Sequence, residues 1–211
     1  DSICKRYHVD LVTTLTGFKW IGKAILQNKK KFMFGAEESY GFLVSDYVRD
    51  KDSISATLMT CEIACVLKDI LSINLIDMLK MMYDYYGVHK SHNVSIDYQG
   101  VEGTIEMQRV MKNLRDNPIK MVTDIKVTKV DDYKISKTYD YRTNKEEKLD
   151  YPPNDTLKYY LDDNSIITIR PSEKKKKIKI YYDIIDSTME LAENKVNILN
   201  QSINKILKKG E

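Results

Sequence analysis

The sequence predicts an α/β unit followed by an α+β unit. Two observations carry this: short apolar strands alternate with helices as far as Gly87, and beyond Tyr98 come a helix, alternating strands and one last helix. The length of 211 residues leaves room for two modest domains, each with its own core. The boundary is placed at the extended stretch Val88 to Tyr98, giving domains 1–90 and 91–211.

In the first domain, Leu11-Val12-Thr13-Thr14 reads as a strand, followed by a helix from about Gly17 to Gln27. Phe32-Met33-Phe34 reads as a second short strand ending at Gly35. Asp52 stands where an N-cap belongs, ahead of Ile54, Leu58, Met59, Ile63, Val66, Leu67, Ile70 and Leu71 at helical spacing. A further helix starts at Asn74, with Asp77 three residues on, and Gly87 ends it. In the second domain a helix over roughly 102–116 stops at Asn117-Pro118. Ile125 and Val127 alternate with polar residues, the period of a half-buried strand. Residues 131–156 are polar, contain Pro152-Pro153 and read mostly as loop. Strands follow near Ile166 to Arg170 and Ile178 to Ile185, the latter with Ile178, Ile180, Tyr182 and Ile184 on one face. Ser187 with Glu190 forms a capping box for a helix with Ala192, Val196, Leu199, Ile203 and Ile206 along one side.

Composition excludes several classes. Apolar content of 42% with 31% charged residues is that of a soluble globular protein. No apolar run approaches the roughly 20 residues that span a bilayer, and no signal peptide is visible. Three cysteines cannot all pair. Cys61 and Cys65, four apart in an apolar helical pattern with no matching ligand cluster, read as core residues in a reducing cytoplasm. The net charge of +3 comes from one spot, residues 173–179, with five lysines and one glutamate. That is a poor footprint for nucleic acid, and Tyr182, buried with Ile180, leaves little stacking surface.

Three segments hold candidate chemistry. In Thr14 to Ile21, a turn through Gly17 into a helix presents backbone N–H groups, with Lys19 beside them. That serves an anion, or is a strand-to-helix turn with a solvated lysine. In Gly35-Ala36-Glu37-Glu38-Ser39-Tyr40-Gly41, carboxylates and a hydroxyl between glycines suit sugar hydroxyls, or form an acidic surface turn. In Ile169 to Lys177, an arginine fork, a hydroxyl and several ammonium groups follow a strand. They suit a phosphate, or are a turn whose lysines protect a sheet edge.

In their order and spacing these segments resemble the α-D-phosphohexomutase family, the phosphoglucomutases and phosphomannomutases. Thr14 to Ile21 is similar to the family's TGFKWI stretch. Gly35 to Gly41 is similar to its GEESYG sugar loop, and Asp50-Lys51-Asp52 to its DKD helix start. Tyr151 to Tyr160 with Ile167 to Ser172 is similar to the region around its RPSGTEPK phosphate loop. The resemblance implies the third domain, without its first strand, and a smaller C-terminal domain like the TATA-box-binding protein. It implies a hexose-phosphate substrate, a phosphoserine enzyme, a hexose 1,6-bisphosphate intermediate and Mg²⁺, with the N-terminal domains of the same enzyme as partners. Glu37 and Ser39 then read sugar hydroxyls, Lys19 is a candidate substrate contact, and Arg170 and Ser172 bind phosphate.

The chain departs from the family in two ways. It contains no TASHNP-type serine loop and no DGDADR-type metal loop, so no catalytic residue is expected in this piece and activity is not expected from it alone. Losing a strand would also expose apolar surface and weaken the first domain. In the phosphate loop, Glu173 stands for the family's glycine and Lys174 for its threonine, followed by Lys175, Lys176 and Lys177. A carboxylate there repels phosphate, and flexible lysines do not rebuild a cradle of fixed donors, so weakened binding is expected. The same change suits an alternative, a non-catalytic module that binds a sugar phosphate or a protein.

Overall fold

The computed structural model describes residues 1–37, 40–172 and 176–208. Contacts divide the chain into two units, Asp1–Met82 and Tyr83–Glu211.

The first unit begins with two helices, α1 (Ser2–Arg6) and α2 (Phe18–Gln27). Strands β1 (Gly35–Glu37) and β2 (Gly41–Leu43) pair antiparallel. Helix α3 (Ser53–Val66) follows, continuing through a π-helical turn at Leu67–Leu71, and then α4 (Leu75–Tyr86). Two expected strands are absent. Leu11–Thr14 has no ladder partner, and Leu11 and Val12 are exposed. Phe32–Phe34 precedes the hairpin rather than forming it, with Met33 and Phe34 exposed. Apolar β-formers make a strand only where another strand supplies the ladder.

Asp52 caps α3 as the sequence predicts. Its carboxylate accepts from the N–H of Ile54 at 3.0 Å and of Ser55 at 3.1 Å. Helix α3 is apolar all round, yet it buries none of its residues. Ile54 and Leu58 are 80% and 69% exposed, so most of this surface has no cover within the unit. Cys61 and Cys65 are exposed on the same helix, which overturns their placement in a core. Their apolar neighbours made them look buried, but the helix packs on β2 only along a narrow line.

The second unit is one antiparallel sheet with helices on one face. Its strands are β3 (Val88–Asp97), β4 (Met121–Val122), β5 (Ile125–Asp132), β6 (Lys137–Asp140), β7 (Lys145–Lys148), β8 (Leu157–Leu161), β9 (Ile166–Ser172) and β10 (Lys177–Asp186). The order is β3-β10-β9-β8-β5-β6-β7, with β4 on β5. Helices α5 (Gly100–Asp116) and α6 (Met189–Lys208) share one core with the sheet. Met107, Val110, Met111 and Leu114 of α5, and Ala192, Val196, Leu199 and Ile203 of α6, belong to one buried cluster with Ile178, Ile180, Tyr182 and Ile184 of β10. Leu207 rather than Ile206 completes the buried side of α6.

Three expectations change here. Val88 to Tyr98 is not a bare connection: β3 pairs with β10 over ten positions, from Val88↔Asp186 to Asp97↔Lys177. Within 131–156, β6 and β7 form a charged hairpin, and Leu157–Leu161 adds a strand. The cap of α6 is Thr188, whose Oγ1 accepts from Leu191 N at 3.2 Å, while the Ser187 hydroxyl turns to Asp186. Among the described residues no helix is long and apolar enough to cross a membrane.

Candidate functional site

Each unit carries one cluster. In the first, the β1–β2 hairpin sets Glu37 beside the start of α3. Lys51 Nζ lies 2.7 Å from Glu37 Oε1, and the Glu37 side chain is only 9% exposed. The gap for this pair exists because residue 41 is glycine: a Cβ there would stand 2.8 Å from Glu37 Cγ and 2.9 Å from Lys51 Cδ. Ser39 and Glu38 lie outside the described residues. Next to the pair is an open pocket of about 570 Å³, lined by Tyr40, Phe42, Lys51, Ser53, Thr57 and Thr60 among others. Its lining sets aromatic rings, hydroxyls and the Lys51 ammonium beside the apolar Ala56 and Cys61. Lys19 stands exposed on the first turn of α2, its Nζ 5.2 Å from the Trp20 ring centroid. Helix α2 packs against β1 through Ile21, which would lie 3.0 Å from a Cβ on Gly35. No hydrogen bond or ion pair joins Lys19 to Glu37 among the described residues.

Asp52 fixes the helix that follows Lys51. Its backbone N–H also donates to Phe42 O at 3.1 Å, tying α3 to β2. The Ser55 hydroxyl, then the N–H groups of Ile54 and Ser55, hold the Asp52 carboxyl below its ordinary value of 3.8. A depressed carboxyl stabilises the fold above its unfolded pKa, and that stability is lost as pH falls through the folded value. Acidification below about pH 4 is therefore expected to fray the first turn of α3. Amide shifts of Ile54 and Ser55 followed against pH will show it, and Asp52→Ala should display the frayed shifts already at neutral pH.

In the second unit the cluster forms where β9 meets β10. Arg170 and Ser172 are two apart on β9, so they share a face, the one turned away from α5 and α6. Across the ladder Arg170 faces Lys179, and Ser172 faces Lys177. Arg170 is exposed and makes no ion pair among the described residues, whereas Lys177 pairs with Asp97 at 2.9 Å. Glu173, Lys174 and Lys175 lie outside the described residues. Lys176 closes the hairpin with φ +46, its carbonyl accepting from Tyr98 N at 2.8 Å and its Nζ donating to Gly100 O at 3.3 Å. Lys179 does not stand out in the sequence. The alternation of Ile178, Ile180 and Tyr182 puts it on the outer face, but only the register sets it beside Arg170.

The chain is similar to several known proteins. A family model described as "Phosphoglucomutase/phosphomannomutase, alpha/beta/alpha domain III" matches residues 1–81. A phosphoglucomutase of Staphylococcus aureus (strain MRSA252) is 30% identical over 200 residues, 94% of this chain and 36% of the relative. One of Staphylococcus haemolyticus is 30% identical over 200 residues, covering 93% and 36%. The chain is similar to phosphoglucomutases along nearly its whole length, and its residues 1–81 are similar to the third domain of the phosphoglucomutase/phosphomannomutase family. The crystal structure of the Paramecium exocytosis-sensitive phosphoprotein pp63/parafusin, a phosphoglucomutase in its open form, matches all of this chain and 34% of its own. Its TM-score is 0.62 at 17% identity, a likeness of fold. The chain spans about a third of the length of these phosphoglucomutase relatives. Lys19, Glu37 and Ser39 fall within the family's third domain. Among the described residues no group of three or more His, Cys, Asp or Glu side chains could hold a metal ion.

Proposed function

We propose that this chain supplies the sugar- and phosphate-recognition half of a phosphohexomutase, which interconverts hexose 1-phosphate and hexose 6-phosphate. The observation that carries this is the shared sheet face of Arg170, Ser172 and Lys179. A guanidinium fork, a hydroxyl and an ammonium on two hydrogen-bonded strands can together hold an anion. Arg170 and Ser172, with Lys179, hold the non-reacting phosphate. Glu37 and Ser39 accept from and donate to sugar hydroxyls, with Lys51 orienting the Glu37 carboxylate. Lys19 is a further substrate contact. The phosphoserine, the Mg²⁺ and the turnover of the hexose 1,6-bisphosphate belong to N-terminal domains of the longer protein, so this chain alone is inactive in the cytoplasm-located reaction. Those domains also cover the exposed apolar side chains of α3 and α4, such as Ile54, Leu58 and Ile76.

The test is an NMR titration of the isotope-labelled chain with glucose 1-phosphate, beside a variant with residues 173–176 restored to Gly-Thr-Glu-Pro. Shifts at Glu37, Arg170 and Ser172 that saturate at lower concentration in the restored variant are expected. No shift in either form, with a well-dispersed spectrum, would refute the site assignments for this chain. A second reading, a non-catalytic sugar-phosphate or protein-binding module, is favoured by Glu173 and Lys174 standing where the family has glycine and threonine. Hexose-phosphate binding without turnover by the full-length protein would select it.

A further inference from the structure

The two ends of the second unit's sheet are built differently. Strand β7 stands at one end of the order and β3 at the other. Strand β7 is short, and its residues Lys145-Glu146-Glu147-Lys148 are all charged and exposed, the usual protection of an edge against an added strand. Strand β3 is 10 residues long, contains no proline, and keeps an unbroken register with β10. Its charged residues are already paired within the chain. Lys90 Nζ lies 3.0 Å from Glu193 Oε1, and Asp97 Oδ1 lies 2.9 Å from Lys177 Nζ. Ser91, His92 and Asn93, at the middle of the strand, are exposed. Among the described residues β3 pairs with β10 and with no other strand.

Two hydrogen bonds fix which backbone groups of β3 are left over. Tyr98 N donates to Lys176 O at 2.8 Å, so in the alternation of an antiparallel ladder the even-numbered residues of β3 turn their N–H and C=O groups to β10. Ile185 N turns the other way, to Ser165 Oγ at 3.4 Å, as the same alternation requires. His89, Ser91, Asn93, Ser95 and Asp97 therefore present their N–H and C=O groups to the open edge. Their side chains share the sheet face turned away from α5 and α6, because their partners on β10 alternate with the buried Ile178, Ile180, Tyr182 and Ile184. A row of unpaired backbone donors and acceptors is a template for a further strand.

We propose that this edge pairs with the β3 edge of a second copy of the chain, antiparallel about a two-fold axis at Asn93. The edge is complementary to its own reverse. With Asn93 opposite its symmetry mate, Ser91 faces Ser95 and His89 faces Asp97, each of these twice. An imidazole N–H meets a carboxylate at both ends of the joint, hydroxyls meet next, and amides meet at the centre, all pairings that support a ladder. A shift of two residues in either direction loses both His89–Asp97 pairs and shortens the ladder. The joined sheets keep their helices on the same side. This interface is independent of the phosphate reading and of the apolar face of α3.

The experiment is sedimentation velocity on the 211-residue chain over a concentration series, with amide hydrogen exchange at both ends of the series. A dimer is expected, in which the amides of His89, Ser91, Asn93, Ser95 and Asp97 exchange more slowly as concentration rises. Lys90, Val94 and Ile96 face β10 in either state and serve as the reference. Asn93→Lys sets like charges together on the axis and should weaken the dimer about fivefold. His89→Asp, which opposes Asp97 at both ends, should weaken it by about the same factor, and His89→Lys should tighten it about threefold. Leu58→Glu, on the exposed face of α3, should leave it within about twofold, which separates edge pairing from apolar association. The substituted side chains are all exposed, and an unchanged circular dichroism spectrum will show that the fold is kept. A chain that stays monomeric up to about 1 mM overturns the proposal. So does a dimer whose edge amides exchange at a rate independent of concentration, or one that Leu58→Glu dissolves and Asn93→Lys does not. Equal weakening by His89→Asp and His89→Lys would overturn the register, and the proposal with it.

Discussion

Arg115→Ala is expected to lower the stability of the second unit by about 3 kcal/mol, because it strands a buried carboxylate. Arg115 reaches from α5 to the end of β5. Its Nε donates to Asp132 Oδ2 at 2.8 Å and its Nη2 to Asp132 Oδ1 at 3.2 Å, a two-pronged contact. The same Nη2 donates to Asp155 Oδ1 at 2.6 Å. The side chains of Arg115 and Asp132 are 16% and 11% exposed. Burial opposes the guanidinium charge, but Asp132 and Asp155 outweigh it and hold the Arg115 pKa above its ordinary value. Removing the arginine leaves Asp132 with Lys134 N at 2.9 Å as its remaining donor. Breaking one partner out of a buried pair costs about 3–5 kcal/mol, and the residual exposure here places the effect at the low end. Urea unfolding should show the second unit's midpoint falling with its slope unchanged. The double variant Arg115→Met, Asp132→Leu should regain much of the loss, since no charge is then left unpaired. By contrast Lys137→Ala, which removes an ion pair whose side chains are 54% and 56% exposed, should change stability by less than about 1 kcal/mol. A destabilised β5 would reach the site quickly, because β8 lies between it and β9.

The parts of this fold that the sequence displays are those whose burial is repeated at a fixed period. Ile178, Ile180, Tyr182 and Ile184 alternate because β10 is paired on both sides and covered on one face, and the apolar side of α6 recurs for the same reason. Strand β3 hides because it is an edge: it borrows its ladder from β10, and its own residues are mostly polar, with only Val88 fully buried. The β6–β7 hairpin hides because its strands are charged; Asp140 accepting from Arg142 N and Thr143 N, with Asn144 at φ +53, builds the turn instead. Leu11–Thr14 shows the converse, strong strand composition without a partner. The same division holds at the site. Arg170 and Ser172 are readable because they are two apart in one motif. Lys179 is not, since cross-strand neighbours are set by register. The partner of Glu37 is likewise hidden: Lys51 belongs to the DKD motif, but its ion pair depends on the β1–β2 hairpin and the space left by Gly41.

Gly103→Ala should destabilise the second unit by about 1–3 kcal/mol, against the usual gain from replacing glycine in a helix. Gly103 lies inside α5, where alanine is intrinsically favoured by about 1 kcal/mol. Here a Cβ would stand 2.7 Å from the carbonyl carbon of Tyr98 and 3.2 Å from its Cα. Those are backbone atoms, so no side-chain rotation relieves the contact. The displacement would travel to the phosphate hairpin, because Tyr98 N donates to Lys176 O at 2.8 Å. Gly100, one turn earlier, separates space from backbone conformation. A Cβ at Gly100 would meet nothing within 4 Å, but φ there is +70, so Gly100→Ala should cost about 1–2 kcal/mol through strain alone. Thermal unfolding will rank the two variants, and amide shifts will divide them by mechanism. Gly103→Ala should move Tyr98 and Lys176 together and weaken phosphate binding at Arg170. A Gly103→Ala chain as stable as the parent, with Tyr98 unmoved, would show that α5 slides away from β3 freely and that the helix does not brace the hairpin.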